Sequence, residues 1–181
     1  MSLTSNTAVR IVLGVFAAVV AASGHQAARA FPDGAPWGAA DPDAAENCAT
    51  CHFDGETVRN SKALAVRGLP ENLSSDTLYD LVVMFENPGG VAAGFQMIAW
   101  AENQSAGTFA SQAADTETVG TAIRSTAVTK KDGAVSWAVQ WRTPTTIDTT
   151  VNIYVAASAA DDDQSPLGDS IHFRSYEYPV R

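Results

Sequence analysis

The sequence predicts an all-β protein, an antiparallel immunoglobulin-like β-sandwich, with an irregular segment in front of it. The clearest sign is the segment VSWAVQWR, where every second residue from Val135 to Trp141 is large and apolar, as in a half-buried strand. Turn-forming residues such as Pro88-Gly89-Gly90 separate segments of this kind. No long 3.6-residue period is present. Seven or so short strands separated by turns are typical of a sandwich.

The predicted strands begin at residue 62 and follow one another to the end of the chain. The segment AAGFQMIAWAEN is apolar on both faces and therefore predicts a central strand, and DDDQSPLGD predicts a loop. The other segments with strand character are KALAVRGLP, TLYDLVVMFEN, the weaker pair AGTFASQA and TAIRSTAVT, then AVSWAVQWRTP, TTVNIYVAASAA and SIHFRSYEY.

Residues 1–30 have the layout of a secretory signal peptide. Arg10 precedes the apolar run Ile11 to Ala22, and Ala28-Arg29-Ala30 forms a cleavage pattern. The apolar run is shorter than the roughly 20 residues that a membrane span needs. We expect cleavage after Ala30 and a periplasmic or secreted protein, with an uncleaved N-terminal membrane anchor as the alternative. The domain prediction is then a signal peptide (1–30), an irregular segment (31–61) and a β-sandwich (62–181).

The charge of the chain excludes some partners. The 181 residues include 11 basic and 20 acidic ones, for a net charge of −9. Cleavage would also remove Arg10 and Arg29, which leaves 9 basic residues. A chain this acidic would repel nucleic-acid phosphates. A protein partner with a basic patch is the better expectation.

The irregular segment contains the only two cysteines, Cys48 and Cys51, followed directly by His52. C-x-x-C-H is the attachment motif for c-type haem. The two thiols would form thioether bonds with the haem vinyl groups, and His52 would bind iron as the proximal ligand. Export strengthens this prediction, since free thiols do not normally persist in an oxidising compartment.

Other chemistries for the two thiols stay open. A Cys48–Cys51 disulfide would close a very small loop and would stabilise little through chain entropy. A thioredoxin-like redox site requires a βαβ context, which the strand pattern does not offer. Zinc requires about four ligands, and Cys48, Cys51 and His52 supply three.

The order of motifs resembles the Reeler-like bacterial domains of the choice-of-anchor V type. The shared order is NCATCHFDGE, TLYDLVVMFEN, AGFQMIAWAEN, VSWAVQWRTP and GDSIHF, from about Asn47 to Phe173. This resemblance implies an exported β-sandwich with an N-terminal CxxCH, and it implies little about activity. The chain departs from these domains in having no C-terminal sorting helix after YEYPVR, so we expect a released or periplasmic protein.

The sixth iron position has two leading candidate protein ligands, and Met84 is a third candidate. His172 is the only other histidine beyond the signal peptide, and Met97 is the alternative. A methionine on a strand is more often part of the core, and a lone histidine is more often a partly buried side chain. A five-coordinate iron, as in a haem sensor or peroxidase, is the remaining option.

Two further groups of residues have less specific patterns. Asp161, Asp162, Asp163 and Asp169 could bind Ca²⁺, although their spacing is not that of an EF-hand and a solvated acidic loop is the simpler interpretation. The aromatic residues that could wall a haem are Trp37, Phe53, Trp100, Trp137 and Trp141, of which the last two have strand spacing and fit a core.

The function hypothesis is an exported monohaem c-type cytochrome that transfers single electrons. No nucleophile elbow, P-loop or dinucleotide-binding motif is present, so an electron carrier is favoured over an enzyme. The alternative is a non-enzymatic extracytoplasmic binding or adhesion module with a Cys48–Cys51 disulfide.

Overall fold

The computed structural model describes residues 38–86, 88–102, 104–127, 129–130, 133–163 and 165–179. The predicted signal peptide and Trp37 lie outside these ranges. The described elements are one helix and twelve strands: α1 (Cys48–Cys51), β1 (Thr57–Val58), β2 (Leu64–Arg67), β3 (Leu78–Phe85), β4 (Ala92–Ala101), β5 (Gln104–Ser105), β6 (Thr108–Ser111), β7 (Thr116–Val119), β8 (Ala122–Ser125), β9 (Thr129–Lys130), β10 (Val135–Arg142), β11 (Val151–Ala160) and β12 (Ser170–Tyr178).

The strands form two sheets. The large sheet has the order β1-β12-β11-β4-β8-β7, and the small sheet has the order β2-β3-β10-β6. β11 pairs along one edge of β4, whereas β9, β8 and β5 pair with successive parts of its other edge. β4 is therefore the central strand that its apolar sequence predicts. Every described strand pair is antiparallel except β1 with β12.

The main core lies between the two sheets. Alternate residues of β10 face inward, and Trp137 and Trp141 are almost fully buried there. The Phe95 ring lies 4.7 Å from that of Trp137, which joins the large sheet to the small one. The indole N–H of Trp141 donates to the Ala106 carbonyl at 3.0 Å, so the buried polar atom is satisfied.

A second, smaller apolar cluster covers the opposite face of the large sheet. We call it the outer cluster; its buried members are Ala40, Ile98, Ala122, Ala156, Ile171 and Phe173. Along β4, Ile98 belongs to this cluster while its neighbours Met97 and Ala99 belong to the main core, as strand alternation requires. Cys48 and Ala49 pack against the outer cluster. The segment carrying α1 therefore lies on the outside of the sandwich.

The predicted antiparallel β-sandwich is confirmed, with more strands than the sequence pattern shows. The additional strands β1, β5, β7 and β9 have two to four residues each. β1 lies in the segment predicted to be irregular and adds to the large sheet beside β12. Among the described residues, no helix has the length and apolar character that crossing a membrane requires.

Candidate functional site

The CATC sequence forms a single helical turn, held at its start by side-chain caps. The Asn47 side-chain oxygen accepts from the Ala49 N–H at 3.0 Å, and the Thr50 hydroxyl accepts from the Asn47 N–H at 3.1 Å. The Cys48 N–H donates to the Ala39 carbonyl at 3.1 Å, which ties the turn to the preceding segment. A turn this short would not persist in isolation, so these contacts and its packing maintain it.

The two thiols share one face of this turn, because residues three apart on a helix are neighbours. Both cysteines are half-buried and free, with no disulfide between them. Burial, with a smaller contribution from the nearby Cys51, raises the pKa of the Cys48 thiol to about 12. The Cys48 thiol is therefore mostly protonated at neutral pH in the folded chain, and it is a weaker nucleophile than an ordinary thiol.

His52 follows α1 directly and is oriented by a carboxylate from the other end of the chain. Its Nδ1 atom lies 2.7 Å from Oδ2 of Asp169, and the two side chains are 22% and 3% exposed. Burial raises the pKa of Asp169, although the His52 charge and hydrogen bond oppose that shift. His52 Nε2 makes no hydrogen bond with the described residues.

Three contacts hold the loop after α1 against the start of β12, and we call them the clasp. The first is His52 with Asp169. The second is the Gly55 backbone against the Asp169 backbone, so close that a β-carbon on Gly55 would overlap the Asp169 carbonyl oxygen. The third is the Ile171 N–H donating to the Glu56 carbonyl at 2.8 Å. The clasp leads into β1, where Thr57 pairs with Ile171.

His172 lies on the same strand as the clasp but on its opposite face. Its ring contacts Phe85 of the small sheet at 5.0 Å between centroids, so it points into the sandwich. Nδ1 lies 2.8 Å from the Ser61 hydroxyl and Nε2 lies 3.3 Å from the Ser170 hydroxyl. Burial lowers the pKa of His172, against the smaller opposite effect of Glu56. Met97 is fully buried in the main core. The structure thus brings neither candidate sixth ligand to His52.

The four aspartates proposed for Ca²⁺ separate into two environments. Asp161, Asp162 and Asp163 are exposed, and Asp169 is buried against His52. The Asp161 and Asp163 carboxylates accept the backbone N–H groups of Asp163 and Ser165 in local turns. Throughout the described ranges, no three His, Cys, Asp or Glu side chains are grouped to hold a metal ion.

The aromatic residues predicted as possible walls of a haem lie in different parts of the structure. Trp137 and Trp141 belong to the main core, as their strand spacing suggests. Trp100 is half-buried against the outer cluster, on the same face of the sheet as α1. Phe53, directly after His52, is 66% exposed.

Comparison with known proteins identifies the fold. No family model and no curated protein matches the chain. Among solved structures, the Reelin-N domain of F-spondin matches with a TM-score of 0.53 and 19% identity, over 74% of this chain and 96% of that one. The human F-spondin reeler domain matches with a TM-score of 0.50 and 18% identity, over 71% and 96%. The fold is Reeler-like. At these identities the likeness concerns the fold alone, and a fold of this kind does not define an activity.

The sequence did not predict the pairing of His52 with Asp169. The two residues are 117 positions apart. Asp169 stands in an acidic stretch, and this context suggested a loop ligand for Ca²⁺. No local pattern in the sequence indicates this pairing.

Proposed function

We propose that the protein is an exported electron carrier with one covalent c-type haem. Cys48 and Cys51 would form the two thioether bonds, and His52 would bind the iron. A haem bound there would supply the ferric–ferrous couple, and the protein would set its potential through ligand and burial.

One observation carries this proposal: α1 and the residue after it present two thiols and one imidazole nitrogen together. The thiols lie one helical turn apart, and His52 follows them with Nδ1 engaged and Nε2 without a partner among the described residues. Nε2 is the nitrogen that remains for iron when the other ring nitrogen is hydrogen-bonded. Two thiols for thioether bonds and one imidazole nitrogen for iron therefore fit a c-type haem.

The apolar surroundings of α1 also fit a haem. Half-buried Trp100 and Tyr154 pack against the outer cluster on the same face of the sheet, and the exposed Phe53 follows His52 in the chain. A porphyrin edge packed against such side chains would be partly shielded from water, which is a main determinant of potential. These residues would orient and shield the group.

His172 and Met97 stay candidate sixth ligands only if they leave the interior. α1 lies on the outer face of the large sheet, whereas both side chains point to the space between the sheets. A His172→Ala variant addresses this directly. An unchanged low-spin haem spectrum would remove His172 as a ligand, and a high-spin spectrum would retain it.

The proposed partner is a redox protein with a basic patch. Exposed acidic residues stand on both sides of the clasp, at Asp54 and Glu56 and at Asp161 to Asp163. Attraction between these acidic residues and a basic patch on the partner would speed association, and added salt would weaken this attraction. Export to the periplasm or beyond is part of the same proposal and rests on the signal-peptide pattern.

The test is export of the full chain in a bacterium that expresses the cytochrome c maturation system. We expect the intact mass of the product to exceed that of the polypeptide by one haem, with a c-type pyridine haemochrome spectrum. Cys48→Ser and Cys51→Ser should each leave a single thioether or no haem. His172→Gln, a matched histidine removal away from α1, should retain the haem. A wild-type product with no added mass and two hydrogens fewer would contradict the proposal and favour the disulfide-bonded binding module.

A further inference from the structure

We propose that Asp169 is the positioning residue for His52, and that its buried carboxylate gives the proposed haem a low reduction potential. The inference about the potential rests on the proposed function. The inference about His52 orientation concerns the chain itself and can be tested without haem.

The geometry fixes which imidazole nitrogen carries hydrogen. An ionised carboxylate accepts and cannot donate, so with Asp169 ionised the 2.7 Å contact with its Oδ2 requires a proton on His52 Nδ1. A neutral His52 is then the Nδ1–H tautomer, with the Nε2 lone pair available. This pairing of a metal-binding histidine with a carboxylate is a common way of fixing the ring.

Backbone contacts also fix the position of Asp169. The Asp169 backbone packs against Gly55, and two residues later the Ile171 N–H donates to the Glu56 carbonyl. Oδ1 is buried and makes no hydrogen bond with the described residues. His52 is therefore the main side-chain partner of this carboxylate, and the two side chains define one another's position.

A negative charge in this position has a consequence for iron. An ionised Asp169 would draw the Nδ1 proton toward Oδ2 and make Nε2 a stronger electron donor, which would stabilise ferric iron more than ferrous iron. Burial strengthens the effect because water does not screen a carboxylate that is 3% exposed. A neutral acceptor of the same shape would keep the orientation and remove this electrostatic contribution.

The first test uses reduced, haem-free protein at mildly alkaline pH and measures ring ¹⁵N shifts by NMR. We expect the Nδ1–H tautomer for His52 in the wild type and a shift toward the Nε2–H tautomer in Asp169→Ala. The control is Asp43→Asn, which removes an exposed carboxylate that pairs with Arg59. A wild-type His52 in the Nε2–H form, or a tautomer unchanged by Asp169→Ala, would overturn the positioning role.

The second test uses haem-loaded protein and measures the midpoint potential. Asp169→Asn should favour reduction by about tenfold, which is about 59 mV for a one-electron couple, and should retain a His-ligated spectrum. Asp43→Asn should leave the potential unchanged. Equal potentials in the wild type and Asp169→Asn would refute the electrostatic role. If the wild type binds no haem, the proposed function fails, and the NMR result still decides the positioning role.

Discussion

Replacing Gly55 with alanine is the sharpest perturbation of the clasp that substitutes no functional side chain. The added β-carbon would meet the backbone oxygen and carbonyl carbon of Asp169. Backbone atoms cannot turn aside as a flexible side chain can, so the loop must move away from β12. That movement breaks the contact of His52 with Asp169 and the hydrogen bond from Ile171 to Glu56.

The size of the effect follows from those two contacts. A hydrogen bond to a charged group contributes roughly 1.5–3 kcal/mol and a backbone hydrogen bond about 1 kcal/mol. Alanine also restricts the unfolded chain, which offsets about 0.4–1 kcal/mol of that loss. We therefore expect the free energy of unfolding to fall by about 2–3 kcal/mol.

Urea unfolding of the haem-free protein measures this difference by linear extrapolation. Gly89→Ala is the control. Gly89 has a φ of +76°, and no neighbouring atom lies within 4 Å of the position that a β-carbon would take there. Only backbone strain of about 1 kcal/mol is therefore expected from this substitution. The reasoning about the clasp is refuted if Gly55→Ala is no more destabilising than Gly89→Ala.

Three other predictions concern the core, the buried histidine and the thiols. The lowered pKa of His172 means that, between its folded-state pKa and about pH 6.5, the unfolded chain binds a proton that the folded chain does not. As the pH decreases through that range, the free energy of unfolding should decrease by up to about 1.4 kcal/mol per pH unit. Urea titrations at several pH values should show a flatter profile in His172→Gln; an equal slope would argue against this origin. Trp141→Ala should cost about 3–5 kcal/mol of unfolding free energy, because its ring is fully buried, whereas the exposed Phe53→Ala should stay within about 0.5 kcal/mol. Mass-resolved alkylation of the reduced, haem-free protein should label Cys48 at least about a hundredfold more slowly when folded than in urea, since its pKa of about 12 leaves little thiolate. Comparable rates in the two conditions would mean that the thiol is not buried in solution.

The long strands were predictable because their signal is local. In β10, the alternation from Val135 to Trp141 is the direct consequence of one face being buried, and the structure buries those residues. β4 is apolar on both faces because the main core covers one side and the outer cluster covers the other. The strands β5 and β9 have only two residues each, too few for a period, and exist through pairing with β4.

The residues that carry the proposed chemistry were predictable from the sequence, whereas the residues that surround them in the fold were not. Cys48, Cys51 and His52 are close together in sequence, so their motif is visible without a fold. Their relation to β12 depends on tertiary packing, which places Asp169, just before β12, beside His52 and leaves the His172 side chain between the two sheets. Alternation along β12 separates its two faces, but no local pattern indicates which face α1 covers.

The intact mass of the wild-type protein, exported with the maturation system and reduced before measurement, tests the central proposal most directly. We predict a mass greater than that of the polypeptide by one haem, retained under denaturing conditions and lost when both cysteines are replaced by serine. A wild-type mass equal to that of the bare polypeptide would contradict the proposed haem attachment at Cys48 and Cys51.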